Sequence, residues 1–282
     1  MGNIVWMASY PKSGNTWVRA FLHNYLSDGD KPSDINSLGE FFANESNVSW
    51  YRPLVQGSLE SLSRADICRL RPQVHSRIAA SRRGTIMVKT HNFLGAYEGL
   101  PLQTMELTAG AVVVVRNPLD VVISLADHFG LSIDEAISFM AEDVTGTPTD
   151  ENNVASVLTS WSTHVDSWTR DDSGSTHVLR YEDLLDKPTK YFTRLLKFLG
   201  LQPDPTRLKR AIEHSSFDKL RSLEARDGFI ERSPSSRQFF RRGRKNQWRD
   251  VLSESQFARI ASDHMEIMQR FGYLPKGFKR PN

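Results

Sequence analysis

The chain has 282 residues, 39% hydrophobic and 24% charged, with a formal net charge of +3; this ordinary globular composition suits one large α/β domain or two small ones. No run approaches the roughly 18 apolar residues of a membrane span, and no basic stretch leads into a long apolar one at the N-terminus, so insertion and secretion are not expected and the cytoplasm is the default compartment. The one cysteine, Cys68, excludes an intramolecular disulfide and argues against a thiolate metal site, so no metal is expected.

In chain order, Ile-Val-Trp-Met-Ala at 4–8 reads as a short buried strand, and residues 14–26 carry apolar side chains at helical spacing. The turn between them, Tyr10-Pro-Lys-Ser-Gly-Asn-Thr-Trp17, directs backbone N–H groups and the positive end of a helix at one point, where an anion would sit. It is not a Walker A loop, because Lys12 precedes Gly14. A long loop over 27–50 is followed by a helix over 59–81 and strands over 85–89 and 111–115. Helices then span 119–129, opened by Asn117 and Pro118, and 133–140. A loop at 143–152 precedes a helix over 154–168 and a strand over 177–180. Helices follow over 189–199 and 205–213, then a loop over 226–240 and a final helix over 254–271. Ser253 caps that last helix, while Gly200 and Gly272 terminate theirs. Short β-branched strands separated by helical patterns predict a three-layer α/β/α fold with a central, mainly parallel sheet. No linker divides the chain, so a single domain over 1–282 is expected, with its loops gathering a ligand site at the carboxyl ends of the strands.

Three further stretches carry chemistry. Residues 115–124 put Arg116 at a strand end and Ser124 one to two turns into the next helix, where a guanidinium and a hydroxyl suit a terminal phosphate. An Arg116–Asp120 pair across the turn is the alternative. The second strand ends in Lys89-Thr-His91, and a neutral imidazole there can accept a proton at neutral pH. Arg232, Arg237, Arg241, Arg242, Arg244, Lys245 and Arg249 follow one another with no acidic residue between them. Such a run suits nucleic acid, a membrane surface, one highly charged small molecule or plain solvation, and no nucleic-acid module accompanies it.

In chain order the segments resemble the signature stretches of sulfotransferases that use 3′-phosphoadenosine 5′-phosphosulfate (PAPS) and release 3′-phosphoadenosine 5′-phosphate (PAP). The resemblance implies a P-loop-like phosphosulfate-binding loop at Lys12, Ser13, Gly14, Asn15 and Thr16. It implies a 3′-phosphate site at Arg116 and Ser124 with Arg241, Arg242 and Gly243. Adenine contacts would come from Trp17, Tyr181, Ser215 and Phe217. His91 corresponds to the family's general base, with Lys12 at the leaving phosphate oxygen and Lys89 helping to neutralise the transferring group. The chain departs from the pattern at Asn15 (often threonine), at Leu119 (usually lysine) and at Asn92-Phe93 (usually Leu-Pro). It departs again at Asn246 and Gln247, which replace a glycine and an aspartate. The implied reaction is sulfuryl transfer from PAPS to a hydroxyl or amine of a small molecule, in the manner of bacterial enzymes that decorate natural products. No nucleic acid, membrane or metal is implied, and residues 249–258 depart from the family's dimer motif, which leaves oligomeric state open. The rival readings are a nucleotide kinase on a related fold and a nucleic-acid binder acting through residues 232–249.

Overall fold

The computed structural model describes residues 2–170, 173–275 and 278, so the outermost parts of the expected 1–282 span lie outside the described residues. The strands are β1 (Ile4–Ser9), β2 (Phe42–Asn44), β3 (Ile86–Thr90), β4 (Ala96–Tyr97), β5 (Leu100–Pro101), β6 (Thr108–Val115) and β7 (Thr176–Arg180). The helices are α1 (Asn15–Ser27), α2 (Val48–Tyr51), α3 (Arg64–Ala80), α4 (Pro118–Phe129), α5 (Ile133–Ala141) and α6 (Trp161–Thr169). They continue with α7 (Tyr181–Asp186), α8 (Pro188–Phe198), α9 (Pro205–His214), α10 (Phe217–Asp227), α11 (Glu254–Asp263) and α12 (Met265–Arg270).

A mainly parallel sheet in the order β2-β3-β1-β6-β7, flanked by helices, makes this an α/β fold, with β4 and β5 as a separate antiparallel pair. β1 lies parallel to β3 with Ile4 opposite Ile86 and Ala8 opposite Thr90, and β2 lies parallel to the other edge of β3. All of β1 is buried, which is why it reads as an unbroken apolar run instead of an alternation. No helix among the described residues is long and apolar enough to cross a membrane.

The chain divides into two compact units. The first, Met1–Tyr10, Phe41–Val113 and Met140–Val178, holds most of the sheet with α2, α3 and α6. The second, Pro11–Glu40, Val114–Phe139 and Leu179–Asn282, holds α1, α4 and α7 to α12. In the second unit Phe21 of α1 stacks on Phe192 of α8 at 3.7 Å between ring centroids, and Trp17, Phe217, Phe229, Phe239 and Phe240 join one apolar cluster. The chain passes from the first unit to the second at 10/11, 113/114 and 178/179, in or just after β1, β6 and β7.

Several expected elements are corrected. The helix expected over 59–81 begins only at Arg64, because the Ser63 hydroxyl accepts from the N–H of Asp66 and the Asp66 carboxylate returns the bond, closing a capping box. The helix expected over 154–168 starts at Trp161. Residues 154–160 are non-helical, with the N–H of Val154, Ser156 and Leu158 bonded to Ser46, Thr147 and Thr145. The last expected helix breaks at His264 into α11 and α12. β7, expected to be buried, is an edge strand in which Leu179 alone is buried.

Two buried histidines tie stability to pH. Burial pushes both the His164 and His264 imidazoles from 6.5 down to about 4, against the smaller opposing pull, at His164, of the bond to His91. The unfolded chain takes up these protons near pH 6.5 and the folded chain only near 4. Each group's contribution is therefore complete above 6.5 and lost as pH falls through that window, at about 1.4 kcal/mol per pH unit. Urea unfolding at stepped pH is expected to show stability falling by about 3 kcal/mol per histidine between pH 6.5 and 4. A flat profile would contradict the burial of neutral imidazoles.

Candidate functional site

In the second unit the turn after β1 leads into the N-terminus of α1. Lys12 and Gly14 both have left-handed backbone, φ 67° and 106°. Gly14 caps α1, and a Cβ on it would lie 2.7 Å from the Tyr181 ring, so glycine is required both by conformation and by the ring packed against it. The cap makes no side-chain hydrogen bond and the first turn of α1 carries no acid, which leaves the helix end positive. The Ser13 hydroxyl is buried and has no hydrogen-bond partner among the described residues. A buried polar group in that state costs roughly 1–3 kcal/mol until something pairs with it. The Lys12 ammonium lies 3.8 Å above the Phe239 ring.

Arg116 leaves the end of β6 as the chain enters α4, whose N-terminus is closed by the Asn117 side chain accepting from the N–H of Leu119. Its guanidinium donates to the Lys12 carbonyl at 3.0 Å, reaches Ser124 Oγ at 3.4 Å and lies 4.5 Å over the Tyr181 ring. It does not pair with Asp120, which is buried and accepts from the N–H groups of Asn246 (2.7 Å) and Trp248 (3.1 Å). Trp17 meets Tyr181 edge to face at 5.5 Å. Phe217 packs so close to Gly243 (φ 58°) that a Cβ there would sit 2.2 Å from its ring. Buried Ser215 donates to the Ala211 carbonyl at the end of α9.

Arg241 lies 3.6 Å from Asp127, and Arg242 beside it is exposed. Burial pulls the Arg241 pKa below its ordinary value; Asp127 opposes this, while Arg242 and Arg116 add to it. These are positive charges crowded enough for a bound anion to relieve. Acids that sequence reasoning missed fix the path of this segment. The Glu224 carboxylate accepts from the N–H of Phe239 (2.6 Å) and Phe240 (2.9 Å), and Asp127 accepts from Ser236 Oγ (2.6 Å). The spacing of Asp120, Ser124 and Asp127, four and then three residues apart on α4, was the available signal, because it puts all three on one helix face. Asn246 takes φ 61°, the left-handed conformation that asparagine tolerates better than most residues, and so fills the place of the expected glycine.

Also missed was Arg19, one turn into α1. Its Nε donates to Asn15 Oδ1 (2.8 Å), and its terminal nitrogen donates to Thr16 Oγ1 (3.1 Å) and to both carboxylate oxygens of Glu231 (2.8 and 2.9 Å). Thr16 Oγ1 in turn donates to Glu231 at 3.3 Å.

In the first unit, His91 follows β3. Its Nδ1 lies 2.8 Å from the Ser9 carbonyl, which can only accept, so Nδ1 carries a proton and, in the neutral ring, Nε2 is the accepting nitrogen. His164 Nε2 donates to the His91 carbonyl at 3.1 Å. Asn92 is fully buried, donating to Glu45 (2.7 Å) and accepting from the Val157 N–H (2.8 Å) and the Trp168 indole (2.9 Å). Burial by itself would raise the Glu45 pKa, but Arg71 at 3.1 Å and His75 at 3.0 Å hold the carboxylate well below its usual range. Asn92 is thus a fully bonded anchor beside His91. Lys89 is partly buried in β3, opposite Met7. Among the described residues, no cluster of three or more His, Cys, Asp or Glu could hold a metal.

A family model described as a sulfotransferase domain matches residues 3–272. Sulfotransferase 1A1 of Canis lupus familiaris is 24% identical over 279 residues, covering 94% of this chain and 83% of its own length. Flavonol 3-sulfotransferase of Flaveria bidentis is 24% identical over 277 residues, covering 92% and 79%. The crystal structure of retinol dehydratase in complex with androsterone and inactive cofactor PAP superposes with a TM-score of 0.67 at 20% identity, over 99% of this chain and 83% of that one, a likeness of fold. With one family model spanning nearly the whole sequence, the chain belongs to the sulfotransferase family.

Proposed function

We propose that this chain, working as a single sulfotransferase domain in the cytoplasm, uses PAPS to sulfate a hydroxyl or amine of a small-molecule acceptor without a metal ion. The observation that carries the reading is the cradle. Arg116 bonds the Lys12 carbonyl, reaches Ser124 and lies over the Tyr181 ring, and Ser13, the residue after Lys12, has a buried hydroxyl with no partner among the described residues. These groups fit a ligand with two phosphate-like ends and a flat base. Lys12, Ser13, Gly14, Asn15 and Thr16 would hold the 5′ end, and Arg116, Ser124, Arg241, Arg242 and the N–H of Gly243 the 3′-phosphate. Trp17, Tyr181, Phe217 and Ser215 would bound the adenine.

When bound, PAPS supplies the sulfuryl group and a phosphate leaving group. His91 Nε2, the accepting nitrogen of the neutral ring because Nδ1–H is directed at the Ser9 carbonyl, accepts the proton of the acceptor. Lys12 and Lys89 oppose negative charge as it grows. Relatives named for a flavonol or solved with androsterone favour ring-bearing acceptors as the first to try, and the wording of residues 10–17 favours a natural-product scaffold.

Losing a charge-assisted hydrogen bond costs about 1.5–3 kcal/mol, so Arg116→Ala is expected to weaken PAPS binding ten- to a hundredfold. Binding of adenosine 5′-phosphosulfate, which lacks the 3′-phosphate, should barely change. Calorimetric titration of both ligands checks this, and equal losses would remove Arg116 from the 3′-phosphate site.

A further inference from the structure

Arg19 and Glu231 belong to none of the roles assigned above, yet they make the densest set of side-chain bonds at the start of α1. The Arg19 side chain is 3% exposed and that of Glu231 25%. The guanidinium can only donate, so each of its bonds fixes the sense of its partner. Asn15 must turn Oδ1 toward Arg19, which points the N–H side of its amide away from the guanidinium. Thr16 must accept from Arg19 on one lone pair, which commits its hydroxyl proton to a different acceptor. In this structure that acceptor is the Glu231 carboxylate, at a long 3.3 Å.

We propose that Arg19 is a positioning residue for the 5′-phosphate end of the donor. Without touching the donor, it sets Asn15 and Thr16 to present N–H and O–H, and Glu231 holds the Thr16 proton until a phosphate oxygen takes it over. The inference rests on the donor-cradle reading. Each side-chain bond in the set has a consequence under it. The fork of Arg19 spans two consecutive residues of the first turn, which the single ammonium of a lysine could not do in the same geometry. The Glu231 carboxylate neutralises Arg19, and its long bond from Thr16 makes it a displaceable partner.

The test is calorimetric titration of the full chain with PAP and with adenosine 3′-monophosphate, which lacks the 5′-phosphate, alongside a thermal melt of each variant. Glu231→Gln keeps a neutral acceptor for Arg19 and is expected to bind PAP as tightly as the unaltered chain or more tightly. Arg19→Met combined with Glu231→Gln removes both charges together, so no lone buried charge remains to unfold the chain. This double variant is expected to lose tenfold or more in PAP affinity and less than twofold for the monophosphate. Equal losses for both ligands in the double variant, or unchanged PAP affinity, would overturn the proposal and leave Arg19–Glu231 as a structural clamp. Weakened PAP binding in Glu231→Gln would overturn the displacement role. Lys12→Ala separates the two levels: if it also fails to discriminate between the ligands, the cradle reading itself is wrong, whereas discrimination by Lys12→Ala alone confines the failure to Arg19.

Discussion

Alanine at His91 is expected to cut turnover by about 10²–10⁴-fold, the usual worth of general-base assistance, with donor affinity nearly unchanged. The tautomer carries the expectation: with Nδ1–H committed to the Ser9 carbonyl at 2.8 Å, the imidazole has one basic nitrogen, held in a fixed direction. The backbone around it is held independently by His164 on the His91 carbonyl and by Glu45, Val157 and Trp168 on Asn92, so removing the ring should leave the strand end in place. A base matters less as the acceptor becomes more acidic. Steady-state rates over phenols of falling pKa should therefore show the deficit shrinking toward the most acidic. A deficit equal for all phenols, or a failure to bind PAPS, would restore His91 to a structural role.

Lys12→Ala should fail differently, slowing transfer to every acceptor by about 10²–10³-fold, because charge on the leaving phosphate develops whatever the nucleophile is. The substitution is clean for two reasons. Alanine keeps the Cβ that already tolerates φ 67°, and Arg116 binds the Lys12 carbonyl, which survives the change. The same phenol series measures it. A deficit that tracked phenol acidity would assign Lys12 to the nucleophile's side of the reaction.

The residues proposed for the donor and for the base could be picked out from the sequence because each group of them is local. The turn of residues 10–17, the eight-residue spacing of Arg116 and Ser124, and the strand end at His91 each lie within one stretch of chain. β1 and β6 were readable for the same reason, as uninterrupted apolar runs. Misreadings arose where tertiary bonding outweighed periodicity. Val154, Val157 and Leu158 are spaced as on a helix, but their segment is drawn out by backbone bonds to residues 46 and 145–147. The three-residue β2 is too short to carry a period. Contacts such as Arg19 with Glu231 or Asp120 with Asn246 join residues more than a hundred positions apart, and no local pattern signals them. Asp120 itself was noticed, but as a partner for Arg116. The fold gives it two backbone N–H groups of the basic segment, an arrangement that requires knowing where residues 246–248 return to α4.

The most direct test of PAPS-dependent sulfuryl transfer is to incubate the full chain with PAPS and a panel of phenols, alcohols and amines after exhaustive chelation. Acceptor mass and PAP are then followed together. The account predicts a gain of one sulfuryl group on at least one acceptor, PAP released in equal amount, and no need for magnesium. A chain that neither binds nor consumes PAPS but turns over ATP only when magnesium is restored would contradict it and establish the kinase reading instead.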